Sequence, residues 1–310
     1  MIVTLIFALL PILVTIGLGF IAGRSGRFEK NASKTLVDMV MNYALPLSIF
    51  SGILGVGRDA IIKNIPLALW LVGGMVGCYA VVYLIQRYIL HQEGNTLTVL
   101  RSLSISDPSV PFIGSAILPL LFSEGLAALD IGISTLIINI IMLPYIFAVL
   151  SKTEVSAENN TVGARFKKTL SKPIVIAALA GFILALFGVQ MPAKLLPTFQ
   201  TLGRASGGVA MFATGLILSS RKMTITKPIV WVTLSKNIFF PLVMWGLMAL
   251  AGVNPTIMRI AVVTLSIPTA TMPTNLAIQY QVGEQEMASI QMWSTVLSFI
   301  TLSAFMLLLS

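Results

Sequence analysis

Two short stretches hold the residue types best suited to binding a small solute. One reads Leu103-Ser104-Ile105-Ser106-Asp107-Pro108-Ser109-Val110-Pro111, the other Leu265-Ser266-Ile267-Pro268-Thr269-Ala270-Thr271-Met272-Pro273-Thr274-Asn275. Each interrupts an apolar run and carries two prolines, three or five residues apart. Proline lacks an N–H and its ring clashes with the carbonyl one turn back, so such pairs unwind a helix. Backbone groups freed inside a membrane cannot face lipid; they must be buried in protein or line a wet cavity. Ser and Thr hydroxyls around both breaks can satisfy part of that demand. A half-helix that starts at a break presents partial positive charge, which attracts anions. The pattern therefore predicts an anion site built from Ser106, Asp107, Pro108 and Ser109 together with Pro268, Thr269, Ala270, Thr271 and Asn275.

Three cationic residues also lie within apolar runs: Arg101, Arg204 and Lys236. A charge in a span costs at least about 2.5–3.5 kcal/mol on insertion scales, so each needs a partner or a role. Arg101 is close to the end of its run and is expected to snorkel. Arg204 and Lys236 lie deeper and are candidates to contact a carboxylate substrate; pairing with Asp38 or Asp107 is the structural alternative. Asp107 is the carboxylate at a break, and burial in general favours the neutral form of a carboxyl group. That makes it the first candidate for proton coupling, against capping of the next half-helix or pairing with a lysine. Asp38, four residues before Asn42 and on the same helix face, is the second candidate. Sodium coupling through hydroxyls and backbone carbonyls stays open. Asn42 and Tyr43 form a polar pair beside Pro46. At the matching place later in the chain stands Arg204-Ala205-Ser206-Gly207-Gly208, whose small residues permit close helix approach.

The elements that must position these residues are membrane helices. Of 310 residues, 56% are hydrophobic and only 10% charged, with a mean hydropathy of +0.94. A soluble domain has about a quarter of its residues charged. Apolar runs near the spanning length of about 20 residues recur throughout. Ten spans are expected, at about 2–22, 33–56, 65–90, 96–122, 126–150, 172–189, 197–220, 227–252, 256–281 and 286–309. The first is read as a span rather than a signal peptide, because it lacks a basic start and a small-residue cleavage site. Pro144 and Pro241 are expected to be simple kinks. Thirteen Lys and Arg residues fall in one set of loops and four in the other, which puts the first set in the cytoplasm and both termini outside. The formal charge of +9 therefore marks a cytoplasmic face of an inner, cell membrane and requires no nucleic acid. One cysteine, Cys78, and one histidine, His91, exclude a disulfide framework and most zinc sites. Cys78 reads as helix filler and His91 as a loop residue; no metal or other cofactor is expected, beyond coupling to H+ or Na+.

Slid along itself by 162 residues, the sequence aligns without a gap. Pro11 falls on Pro173, Pro66 on Pro228 and Pro111 on Pro273. Gly19-Phe20-Ile21 falls on Gly181-Phe182-Ile183, and Leu103-Ser104-Ile105 on Leu265-Ser266-Ile267. Five spans per half is an odd number, so the halves must be inverted: 1–150 and 172–310, joined by a cytoplasmic linker at 151–171. Inverted repeats with broken helices are characteristic of secondary transporters. The expected fold is all-α, ten transmembrane helices in two inverted five-helix repeats, with broken helices four and nine crossing.

The chain resembles the auxin efflux carrier family, including bacterial malonate and malate permeases. The likeness rests on Asn42-Tyr43-Ala44-Leu45-Pro46, on Ser106-Asp107-Pro108-Ser109 followed by Phe112-Ile113-Gly114, on Gly207-Gly208-Val209-Ala210-Met211-Phe212 with Gly215-Leu216, and on Leu265-Ser266-Ile267-Pro268. It covers nearly the whole chain. The resemblance implies two inverted bundles of five helices, a substrate site where the fourth and ninth cross, and a scaffold formed partly by the second and seventh. It also implies small carboxylate substrates, an elevator-like movement and a homodimer. The long central loop of plant members is missing, and Asp107 stands where many relatives have a small neutral residue.

Other classes fit less well. A channel would show a filter sequence or a pore around a symmetry axis, and a membrane enzyme would need a catalytic set; neither is visible. Among carriers, the alternatives are a sodium-coupled bile-acid or arsenite type with a similar crossed-helix plan, and an exporter of amino acids or other metabolites.

Overall fold

A computed structural model of the chain describes residues 2–28, 32–89, 95–150, 163, 167, 170–220 and 224–309. Most of the 151–171 linker, His91, Lys30, Arg221 and Lys222 lie outside the described residues. The described chain is all helical. In order, the helices are α1 (Ile2–Arg24), α2 (Ala32–Lys63), α3 (Ile65–Ile89), α4 (Asn95–Ser106), α5 (Val110–Leu121), α6 (Glu124–Ile146), α7 (Pro173–Leu186), α8 (Leu196–Gly203), α9 (Ala205–Ser220), α10 (Lys227–Leu250), α11 (Pro255–Ser266), α12 (Met272–Tyr280) and α13 (Glu284–Leu308). Among the described residues, α2, α3, α6, α10 and α13 are long and apolar enough to cross a membrane. Shorter apolar helical stretches are Val14–Arg24, Val110–Leu121, Pro173–Leu186 and Pro255–Ser266.

Prolines account for three of the irregularities within the long helices; the wide turns at Gly73–Gly77 and Ile85–Ile89 of α3 and the kink at Gly57 of α2 have no such proline. Pro46, Pro144 and Pro241 each follow a wide, π-helical turn, at Val40–Ala44, Ile137–Met142 and Ser235–Phe239. A proline ring excludes the normal carbonyl one turn back, and a widened turn just before it relieves that clash. Polar side chains gather on these turns: Asn42 and Tyr43 on the first, Asn139 on the second, Lys236 and Asn237 on the third.

The chain clusters into two compact units, each assembled from both halves of the sequence. The first contains Met1–Ala68, Val110–Leu136 and Ser171–Arg221; the second contains Leu69–Ser109, Ile137–Leu170 and Lys222–Ser310. Inside the first, α1 lies against α9 at backbone distance. A Cβ on Gly19 would strike the carbonyl of Phe212, and one on Gly215 would strike the carbonyl of Ile16 and the amide of Phe20. Small residues allow such approach where lipid gives helices no hydrophobic push together. Gly215→Leu is accordingly expected to lower stability by about 2 kcal/mol or more, as overpacking does; the thermal midpoint in detergent reads it, and an unchanged midpoint would contradict this packing. Inside the second unit, α4, α10, α11 and α13 enclose the break residues, with Leu100, Leu103, Val262 and Ile290 buried. Large apolar side chains remain exposed along many helices, among them Leu18, Leu69, Val81, Leu250 and Ile300. Such a surface suits lipid rather than water.

Candidate functional site

Both proline-rich stretches are unwound, as the residue pattern predicts. Helix α4 ends at Ser106 and α5 starts at Val110; α11 ends at Ser266 and α12 starts at Met272. Ile267 takes an extended conformation (φ −59°, ψ 136°), which the following Pro268 enforces. In the second unit the two unwound strands pair with each other. Ser109 donates its N–H to the Pro268 carbonyl at 2.8 Å, and Ala270 donates to the Asp107 carbonyl at 3.0 Å. Pro108 and Thr269 thereby form an isolated antiparallel bridge. Two interrupted helices thus satisfy each other's freed backbone groups, as an apolar environment requires. These amides are consumed in the pairing, so an anion must be met by other donors than those of the bridge itself.

Side chains lock the bridge in place. The Thr269 hydroxyl donates to the Ser104 carbonyl at 2.8 Å, and the Thr269 amide donates to the Ser294 hydroxyl at 3.0 Å. Ser294 in turn donates to the Asn237 side-chain carbonyl at 2.6 Å, and Asn237 donates to the Ser294 backbone carbonyl at 2.8 Å. Lys236, 0% exposed, donates from Nζ to the Leu265 carbonyl at 3.1 Å and lies 5.1 Å from the centre of the Phe240 ring. Its charge therefore sits at the C-terminal end of α11, where the helix dipole favours a cation. Asp107 is 2% exposed, and its Oδ2 has no hydrogen-bond partner. No ion pair within 4.0 Å joins it to Lys236 among the described residues, although the two groups interact electrostatically. Asp107 therefore makes no close ion pair with Lys236, and its Oδ2 caps no helix.

The remaining residues of the break are graded in exposure. Ser106, Pro108, Ser109, Pro268 and Thr269 are buried, Ala270 and Thr271 half-buried, and Asn275 exposed. Thr271 precedes α12 without any side-chain cap on that helix, so the first amides of α12 keep their partial positive charge near Thr271 and Asn275.

Four other expected site residues belong to the first unit. Asp38, Asn42 and Tyr43 are exposed on α2. Arg204 stands between α8 and α9 and pairs neither with Asp38 nor with Asp107; its Nη2 lies 3.2 Å from Glu124 and donates to Gln200 at 3.2 Å. Arg101 does not snorkel alone. It makes a two-pronged pair with Glu286, Nε to Oε1 at 2.6 Å and Nη2 to Oε2 at 3.0 Å.

Two further residues of the site, Asn237 and Ser294, escape sequence reasoning. The place of Asn237 beside Lys236 in an apolar run is a signal that could mark it; nothing local distinguishes Ser294 from other span serines. Asp130, fully buried in α6, is a second intramembrane carboxylate that the residue pattern does not bring forward.

The sequence pattern of the membrane transport protein family matches residues 4–306. The chain belongs to this family, that of the auxin efflux carriers. Its members are transporters and not enzymes, and the chain is a multi-pass membrane protein. It is 27% identical over 276 residues to the "Uncharacterized transporter YfdV" of Escherichia coli K12, covering 88% of each chain. It is also 27% identical over 139 residues to the "Putative malonate transporter" of Rhizobium meliloti, covering 44% of this chain and 43% of that one.

Proposed function

We propose that this family member is a secondary active transporter of small organic anions, mono- or dicarboxylates such as malate or malonate. It works by alternating access through ten helices in two inverted repeats, with both termini outside the cell membrane, as a homodimer. The observation that carries the reading is the hydrogen-bonded pair of helix breaks with a buried lysine and a buried aspartate whose Oδ2 has no hydrogen-bond partner. Charge at bilayer depth is costly and marks substrate or ion pathways. The uncapped start of α12 with Thr271 and Asn275 offers donors to a carboxylate, and Lys236 supplies the positive charge. The relative named for malonate supports the same substrate class.

Asp107 couples transport to protons by taking one up and releasing it in each cycle. Uptake of labelled malonate into proteoliposomes is expected to respond to an imposed pH gradient in the native protein and to lose that response in Asp107→Asn. A variant with unchanged pH dependence removes Asp107 from coupling. Replacing sodium by choline in the same assay is expected to change nothing, and a sodium requirement would favour the bile-acid-type alternative.

A further inference from the structure

A separate cavity of about 290 Å³ lies wholly within the first unit, between α2, α5, α6, α8 and α9. That volume is close to the lower end of small-molecule sites, about 300 Å³, and suits a compact acid. Arg204 and Glu124 line it and face each other, 68% and 56% exposed. Ser48 and Ser206 are also among its lining residues. Ser206 is 3% exposed, and neither hydroxyl has a protein partner among the described residues. The guanidinium makes its contacts with Glu124 and Gln200 through Nη2 alone, which leaves Nε and Nη1 without partners among the described residues. A guanidinium presents five donors in a planar fork that matches a carboxylate with two parallel bonds.

Unused donors on a guanidinium, unused hydroxyls on one half-buried and one buried serine of the lining, and a carboxylate already resting against the arginine form a consistent set. Glu124 occupies one prong of the place that a ligand's carboxylate would fill. We infer that the cavity of the first unit is a second carboxylate-binding site, in which a small acid displaces Glu124 from Arg204 and reaches Ser48 and Ser206. The inference takes its ligand class from the transport reading above but builds the site from residues other than those of the helix breaks. Glu124 then acts as a tethered competitor that keeps the site's affinity low.

The test is binding of malonate to purified protein in detergent, read by calorimetry and by ligand-induced rise in the thermal midpoint, with acetate and inorganic phosphate as comparison probes. Glu124→Gln keeps the shape and removes the competing charge, so malonate is expected to bind at least about five-fold tighter, the low end of the change in affinity that one bound group typically exerts on another. Arg204→Gln is expected to abolish that gain, alone and combined with Glu124→Gln, and Ser206→Ala to reduce it. Both rim side chains are exposed, so their midpoints without ligand should match the native protein. The gain should persist in an Asp107→Asn background. Affinity unchanged or weakened by Glu124→Gln overturns the inference, as does a gain for phosphate equal to that for malonate, or no response of any variant to any carboxylate. Tight binding in Glu124→Gln without transport by the native protein would leave this site standing and sink the transport reading; transport without the Glu124 effect would do the reverse.

Discussion

Lys236→Met is expected to cut carboxylate uptake about 100-fold, the rate equivalent of losing about 3 kcal/mol. The reason is local. The ammonium is buried, bonds to the Leu265 carbonyl at the end of α11 and shares its surroundings with the Asp107 carboxyl. Methionine keeps the length of the side chain but removes both the charge and the donor. It leaves an orphaned carbonyl at the break and a buried carboxyl with no nearby cation. Stability should fall along with uptake, and the double variant Lys236→Met, Asp107→Asn separates the two effects. Removing both charges should recover much of the thermal midpoint, because neighbours that share an interaction are not additive. Uptake should not return if Lys236 is, as proposed, the cation that meets the substrate. Native-like uptake by Lys236→Met would remove the lysine from the substrate path.

The second large effect concerns Arg101 and Glu286, whose side chains are 12% and 19% exposed. Their two parallel bonds tie the half-helix before the first break, α4, to the first turn of α13. The glutamate at that helix start also suits the dipole. Breaking a largely buried pair from one side costs about 3–5 kcal/mol, because the other charge loses the opposite charge it was buried against. Glu286→Gln and Arg101→Ala should each lower the thermal midpoint steeply, and the double variant Arg101→Leu, Glu286→Leu should recover much of the loss. A pair that contributes little would show neither the drop nor the recovery.

The parts of this molecule that can be read from its residues are those governed by short-range rules. Pro108 and Pro268 stand in the unwound segments, and Pro111 and Pro273 in the first turn of the helix that follows each, so the paired prolines place both breaks. Helix ends are also legible from punctuation: the sixth apolar run is expected to end near 189, and α7 ends at Leu186, just before Gly188 turns the chain with φ 85°. Choice of partner is not legible. Arg101 and Glu286 are 185 residues apart, and Thr269 and Ser104 are 165 apart; only tertiary packing brings them together. Arg204 shows the same limit, since its depth in an apolar run gives no hint of Glu124 at the start of α6. The donors at a break also differ from expectation. Proline pairs free backbone groups, as the residue pattern implies, but the bridge of Pro108 and Thr269 consumes several of them internally.

Solute counterflow in proteoliposomes tests the central claim most directly. Vesicles containing purified protein are loaded with unlabelled malonate and diluted into a trace of labelled malonate with no ion gradient. A carrier with one alternating site exchanges inner for outer substrate, so label should accumulate transiently above its equilibrium level, and Lys236→Met should show no such peak. Label that only equilibrates, without overshoot for malonate, malate or any other small carboxylate tested, would contradict an alternating carboxylate site at the paired breaks.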